Sequence, residues 1–326
     1  MKPARRRFLH LAAGAVALQA VALPASVQAY PTRPVHLLVG FAAGGPTDLA
    51  ARIVAEWLSQ YFGEQFVVEN RTGMAGNLAT QAVINSSPDG DTLLFTGANS
   101  TISASLYKRL PFNFLQDMVP VGSVMRFPNL MVVPPSLPVN TVREFITFAK
   151  ANPGKLLMAS SGVGASPHLS GELFKFMTKI NMMHVPYRGS AAAYPDLMTG
   201  KVHVLFDNLS GPVLELTQSG KLRALGVTSA HRWDSFPDIP AIAETVPGYE
   251  VNIWYGIFAP KDTSRQVVES LNAGINAALA DSKVRARLVK GGGMPMAMTP
   301  SEFGKFIADD AEKWRKVIEF AGISAN

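Results

Sequence analysis

From residue 30 onward, short β-branched or leucine-rich runs alternate with longer segments of helical spacing, and Gly, Pro, Asn and Ser punctuate them. Val35–Val39 predicts a strand, and Pro46–Phe62 a helix with Leu49, Ile53 and Trp57 on its inward face. Strands follow over residues 66–69 and, after the turn Pro88-Asp89-Gly90, over 92–96. A second series starts near 130–133. It continues with a helix opened by the capping-box sequence Thr141-Val142-Arg143-Glu144 and closed at Asn152-Pro153-Gly154. Next come a strand at Leu156–Ser160 and a helix from Pro167 that turns Leu169, Leu173, Phe176 and Met177 inward. Strands over 202–206 and 222–228 complete the series. The chain ends in helices over 266–280 and 300–320, the latter with its own box at Thr299 and Glu302.

This βαβα order predicts parallel strands joined by helices, arranged as two α/β lobes. Two stretches, 125–129 and 249–257, read as crossings, with the C-terminal helices rejoining the first lobe. Length agrees: 326 residues suit two domains, and 48% hydrophobic with 17% charged residues is globular rather than disordered. The absence of cysteine removes disulfides, thiolate nucleophiles and cysteine metal sites together.

The net charge of +6 changes meaning with position. Lys2, Arg5, Arg6 and Arg7 sit in a 29-residue start that has no acid, and the remainder holds 26 basic against 24 acidic residues. That start also carries an apolar run over residues 11–23 and the small-residue sequence Val27-Gln28-Ala29, so residues 1–29 read as a signal peptide cleaved after Ala29. Arg5-Arg6-Arg7-Phe8-Leu9-His10 resembles a twin-arginine export motif, which we prefer over general secretion. Either route leads to the periplasm. The apolar run is too short and too diluted for a membrane span.

In open parallel sheets, ligands bind beyond the carboxyl ends of the strands. Here those loops are rich in small polar residues: 41–48, 70–77 and 97–101 in the first series, then 160–168, 187–190 and 207–210 in the second. Several run straight into a helix, with Pro46 and Pro167 suited to its first turn. Unpaired N–H groups at such helix starts favour a carboxylate or phosphate, and the Ser, Thr and Asn side chains add neutral donors. Taken singly, each loop is explained by turn and capping needs; six of one character predict a shared cleft.

Other chemistries fit poorly. The glycine spacing over 40–47 is that of a phosphate-binding P-loop, but Pro46 stands where its lysine belongs. Gly162-Val163-Gly164 lacks the third glycine of a dinucleotide fingerprint. No Gly-x-Ser-x-Gly elbow is present, although Ser160, Ser161 and Ser166 lie near His168 and leave a Ser166–His168 hydrolase as an alternative. His36, His168, His184, His203 and His231 show no metal-ligand spacing, and nothing interleaves bases with aromatics for nucleic acid. No cofactor is expected, and Trp233, Trp254 and Trp314 read as core or lobe-interface residues.

Tyr30-Pro31-Thr32-Arg33-Pro34, Gly44-Gly45-Pro46-Thr47-Asp48, Val68-Glu69-Asn70-Arg71, Leu106-Tyr107-Lys108-Arg109-Leu110-Pro111, Val185-Pro186-Tyr187-Arg188-Gly189 and Trp254-Tyr255-Gly256-Ile257-Phe258-Ala259-Pro260 occur in this order. Together they resemble a Bug-type periplasmic receptor, the solute-binding component of tripartite tricarboxylate transporters. The resemblance spans nearly the whole chain after residue 29. Thr72, Met74, Ala75 and Ser103-Ala104 depart from its usual pattern.

The resemblance implies a two-lobe periplasmic-binding-protein fold, type II-like. Each lobe is a mainly parallel sheet flanked by helices, and the ligand cleft lies between them. Residues 30–128 with 258–326 would form the first lobe and 129–257 the second. It further implies a monomeric, non-enzymatic receptor that captures a small organic carboxylate, a dicarboxylate in the leading case, and hands it to a membrane permease. Phe41, Ala43, Gly44, Thr47 and Asp48 correspond to the family's first carboxylate loop. Ser160, Ser161, Gly164, Ala165 and Ser166 supply the opposing donors, and Asp207 faces the cleft. Asp48 and Asp207, odd neighbours for an anion, are assigned to holding loops, waters or a polar substituent of the ligand. A sensor role beside a membrane kinase is the alternative on the same fold.

Overall fold

The computed structural model describes residues 30–107, 109–209 and 211–324. The leader with its export motif and cleavage point lies outside the described residues, as do Lys108 and Ser210. The first series comprises β1 (Val35–Val39), α1 (Pro46–Phe62), β2 (Phe66–Asn70), a short turn of helix at Met74–Gly76, α2 (Asn77–Ile84), β3 (Thr92–Gly97), α3 (Ala98–Leu106) and α4 (Phe114–Asp117). The long strand β4 (Met118–Val133) leads to α5 (Val142–Ala151), β5 (Leu156–Ser160), α6 (Ser166–Thr178), β6 (Met182–Pro186) and α7 (Ser190–Met198). Then come β7 (Val204–Asn208), α8 (Gly211–Gln218), β8 (Arg223–Val227) and β9 (Asn252–Pro260). The chain closes with α9 (Arg265–Ala280), α10 (Ser282–Lys290), β10 (Met294–Pro295) and α11 (Pro300–Ala321).

The strands are hydrogen-bonded in the order β2-β1-β3-β9-β4-β7-β5-β6, with β8 and β10 also paired to β4. β1 is parallel to β2 and β3, and β5 to β6 and β7. Between these two parallel sets, β9 and β4 run antiparallel, so two lobes share a common spine. β4 changes partner partway: residues up to Pro128 pair with β9, and those from Asn129 pair with β7 and β8. The segment 125–129, read from sequence as a crossing, is therefore the middle of a continuous strand. Residues 252–257 of the second crossing likewise belong to a strand, β9, buried along its whole length. Val35, Leu37, Leu38 and Val39 are fully buried, as befits a parallel strand covered on both faces.

Two predicted helix faces are corrected. α1 buries Ala50, Ala51, Val54, Ala55 and Leu58, whereas Leu49 is 53% exposed and Ile53 and Trp57 are only half-buried. The helix has two apolar stripes, and the small-residue one allows the closer approach to the sheet. On α6, Leu169 and Leu173 point inward as expected, but Phe176 faces outward, its ring 4.6 Å from Phe320 of α11. Capping boxes fare differently. Thr299 and Glu302 form the reciprocal pair at α11, while at α5 Thr141 caps Glu144 and the Glu144 carboxylate takes the Asn140 N–H instead.

Trp254 packs edge-on to Phe303 at 5.5 Å and Phe258 lies 5.3 Å from Phe303, joining β9 to α11. Trp233, Trp254 and Trp314 are all buried. α11 also packs on α3 and α6, so the last helix touches both lobes.

Candidate functional site

The chain leaves β1 and turns through Phe41, Ala43 and Gly44 before α1 begins. Gly44 has φ +78°, a left-handed conformation open to glycine at little cost. The turn is tied from behind. Asn70 at the end of β2 donates to the Phe41 carbonyl (2.9 Å) and to Asp48 Oδ1 (2.9 Å), while the Gly44 N–H (2.8 Å) and Arg52 Nε (3.0 Å) donate to Asp48 Oδ2. Burial raises the Asp48 carboxyl, but the bonds from Arg52, Gly44 and Asn70 outweigh it and hold the group below the usual carboxylate range. Asp48 thus faces its own loop. Thr47 donates to the Tyr255 phenol oxygen at 3.1 Å, and burial pushes that phenol up to about 12. The Phe41 ring lies against Gly76, while Ala43 and Gly44 are exposed.

The opposing loop follows β5. Ser160 is buried, with its Oγ 2.6 Å from His184 Nε2 and accepting the Gly162 N–H at 3.2 Å. The Ser161 carbonyl accepts the Gly189 N–H at 3.2 Å. Gly164 donates its N–H to His168 Nδ1 at 3.1 Å, and the His168 and His184 rings stack at 3.6 Å. Burial, helped by His168, lowers His184 to about 4. These two histidines therefore hold both ends of the Ser160–Gly164 turn. Ala165 precedes α6, and Ser166 Oγ donates to Asn208 Oδ1 at 3.0 Å.

Asp207, at the end of β7, accepts from Ser190 (2.5 Å), Tyr194 (2.5 Å) and the Asn208 N–H (2.9 Å). Burial nonetheless raises its carboxyl above the usual range, and the Tyr194 phenol is raised as well. Asp207 holds α7 to β7. The hydrolase alternative finds no support in these partners, because Ser166 is directed to Asn208 and His168 Nδ1 to a backbone amide. The serine–histidine contact that does exist, Ser160 with His184, joins two strands and was invisible to a search for neighbours in sequence.

Two contacts bring the loop sets together. Leu106 of α3 lies against Gly164, close enough that a Cβ on Gly164 would stand 2.2 Å from Leu106 Cδ2. Pro46 and Asn208, neighbours of Thr47 and Asp207, line one open pocket of about 630 Å³ together with Leu49, Met125 and Phe127.

The helix starts divide into two groups. α1, α2, α3, α6 and α7, which follow β1, β2, β3, β5 and β6, begin at Gly45, Gly76, Gly97, Ala165 and Gly189 with no side-chain cap. α4, α5, α9, α10 and α11 are capped by Asn113, Thr141, Ser264, Asp281 and Thr299. Free N–H donors are thus concentrated at the carboxyl ends of the parallel strands, where the helix dipole adds positive potential. That arrangement suits a small anion held by neutral groups. Among the described residues, no group of three or more His, Cys, Asp or Glu side chains is placed to hold a metal. Nor is any helix among them long and apolar enough to cross a membrane.

The model of the tripartite tricarboxylate transporter family receptor matches residues 50–323. The protein BugT of Bordetella pertussis is 35% identical over 310 residues, which cover 94% of this chain and 95% of that one. Among solved structures, R. palustris Rpa4515 with adipate is similar at 38% identity and TM-score 0.77, covering 90% of this chain and 99% of its own. MatC (Rpa3494) from Rhodopseudomonas palustris with bound malate is similar at 28% identity and TM-score 0.74, covering 89% and 100%.

Proposed function

Since the chain belongs to the tripartite tricarboxylate transporter receptor family, whose members are periplasmic solute-binding receptors, we propose that it captures a small dicarboxylate and delivers it to the membrane permease of such a transporter. The observation that carries this reading is the row of uncapped helix starts along the carboxyl ends of the parallel strands. One carboxylate sits on the turn Phe41, Ala43, Gly44 and Thr47. The other meets the Ser161 and Ser166 side chains and the backbone at Ala165, where α6 starts without a side-chain cap. Ser160, Gly164, Asp48 and Asp207 position these loops and do not touch the ligand, a narrower role for Ser160 and Gly164 than the resemblance implies. The adipate and malate in the two similar structures support a dicarboxylate.

The lobes are residues 30–128 with 258–326 and residues 129–257, and the leader is removed after Ala29 in the periplasm. The protein acts as a monomer and releases its ligand chemically unchanged. Neutral donors favour release, since no buried cation has to be stripped of its partner when the ligand leaves.

A thermal-shift panel of adipate, malate, phthalate and benzoate tests the reading. A ligand at 100 times its dissociation constant should raise stability by about 2.7 kcal/mol. Flat melting curves across all carboxylates would remove it.

A further inference from the structure

We propose a second small-molecule site, for an α-amino acid zwitterion, on the face of the β4–β9 spine opposite the carboxylate site. Arg126 of β4 stands across from Trp254 of β9, whose indole N–H reaches Asp310 of α11 at 3.0 Å. Tyr255, the next residue, points the other way, to Thr47. Strand alternation therefore puts Arg126, Asn252 and Trp254 on the side away from the loops described above.

On that side an open pocket of about 510 Å³ is lined by Arg126, Asn252, Glu250, Asp234, His231 and Arg232, among others. Its walls come from β4, β9, β10 and the turn after β8. Two groups in it lack partners. The Arg126 guanidinium, half-buried, makes no hydrogen bond or ion pair among the described residues. Asn252 is only 8% exposed, and its buried Oδ1 has no hydrogen-bond donor. Its amide orientation is fixed, because Nδ2 donates to Glu250 at 2.6 Å. Arg232 is already held by Glu244 through two bonds at 2.8 and 3.0 Å, so Arg126 is the guanidinium left for a ligand.

The pocket therefore asks for opposite things at two points. Arg126 requires an anion, and a carboxylate matches its fork. The Asn252 oxygen requires a donor, and the Glu250 carboxylate beside it requires a cation; an orphaned buried acceptor costs free energy until it is filled. Arg126 and Asn252 are diagonal neighbours across the strand pair, about 7–8 Å apart at their backbones, so one molecule of a few heavy atoms reaches both. A plain carboxylate meets Glu250 and Asp234 as like charges, and a plain amine leaves Arg126 alone. A molecule with carboxylate and ammonium on adjacent carbons satisfies both ends.

Titration calorimetry of the full chain with L-alanine tests the site, with propionate and ethylammonium as single-charge controls. We expect saturable alanine binding, with each control weaker by roughly tenfold or more. Arg126→Gln and Glu250→Gln should each weaken alanine by a similar factor while keeping the wild-type circular dichroism. Ala165→Asp, at the carboxylate site, should leave alanine binding intact. Absence of saturable alanine heat, equal binding of propionate, or heat that survives Arg126→Gln but is lost in Ala165→Asp would each overturn the proposal. Adipate titrated separately reports on the carboxylate site, so failure of either site is read independently.

Discussion

Asp48, Asp207 and Asp310 are buried acids whose bonds all go to the chain itself. Asp310 ties three elements together: its Oδ2 accepts from Thr101 at 2.7 Å and from the Trp254 indole at 3.0 Å, and Lys313 lies 3.2 Å from Oδ1. Asp310→Ala strands the buried Trp254 indole N–H, while the Thr101 hydroxyl keeps the Ala98 carbonyl at 2.8 Å, and should cost about 3 kcal/mol in urea denaturation, whereas Asp310→Asn keeps an acceptor and should cost about 1 kcal/mol. Neither should alter adipate affinity. His184 sets a pH dependence. Its folded value of about 4 lies below the ordinary 6.5, so the unfolded chain takes up this proton first as pH falls. Stability from this group is complete above about pH 6.5 and declines toward pH 4. Denaturation midpoints measured across that window should fall, and fall less steeply in His184→Gln. The groups that act on the imidazole are His168 and Lys175, which disfavour its protonated form, and Glu172, which favours it. Burial raises the Glu172 carboxyl, but its bonds to His168 and Lys175 outweigh it and hold the group below the usual carboxylate range.

At the scale of elements, the start of α6 offers a test with opposite signs in stability and binding. Ala165 has the extended backbone of an N-cap but no side-chain acceptor. Ala165→Asp supplies one and should stabilise the unliganded protein by about 1 kcal/mol, while weakening a dicarboxylate by occupying its donors. Thermal melts with and without adipate read both effects. This site was legible in the sequence because its markers are local: Pro46 and Pro167 at the first helical turn, glycine before them, and a β-branched or leucine-rich run before that. The spine was not legible. Residues 125–129 read as a crossing, and β4 carries Pro120, Gly122 and Pro128, which disfavour a strand, yet its pairing with β9 overrides that bias with register shifts near Pro120 and Ser123. The α1 face was misjudged for a related reason. Bulk marks Leu49, Ile53 and Trp57, but what decides burial is how closely Ala50, Ala51 and Ala55 let the helix approach. Contacts between distant residues, such as Thr47 with Tyr255 or Ser160 with His184, leave no signature in one sequence.

For the molecule as a whole, the informative contact is Leu106 with Gly164, where the first series meets the second. Gly164 has φ +76°, so Gly164→Ala should cost about 1–2 kcal/mol from backbone strain alone, with the Leu106 clash added. Leu106→Ala relieves the clash and not the strain. A double-mutant cycle in urea should therefore give a coupling of about 1 kcal/mol, and a value near zero would show that the two halves do not press on each other there.

The place of β9 has a consequence for how the chain is made. It lies between β3 and β4 yet comes off the ribosome well over a hundred residues after both. Until residue 260 has emerged, two finished strands wait with open edges, the condition under which nascent chains aggregate or recruit chaperones. Neither half is a self-sufficient folding unit, and production of this protein should be limited by late, long-range strand insertion rather than by helix formation.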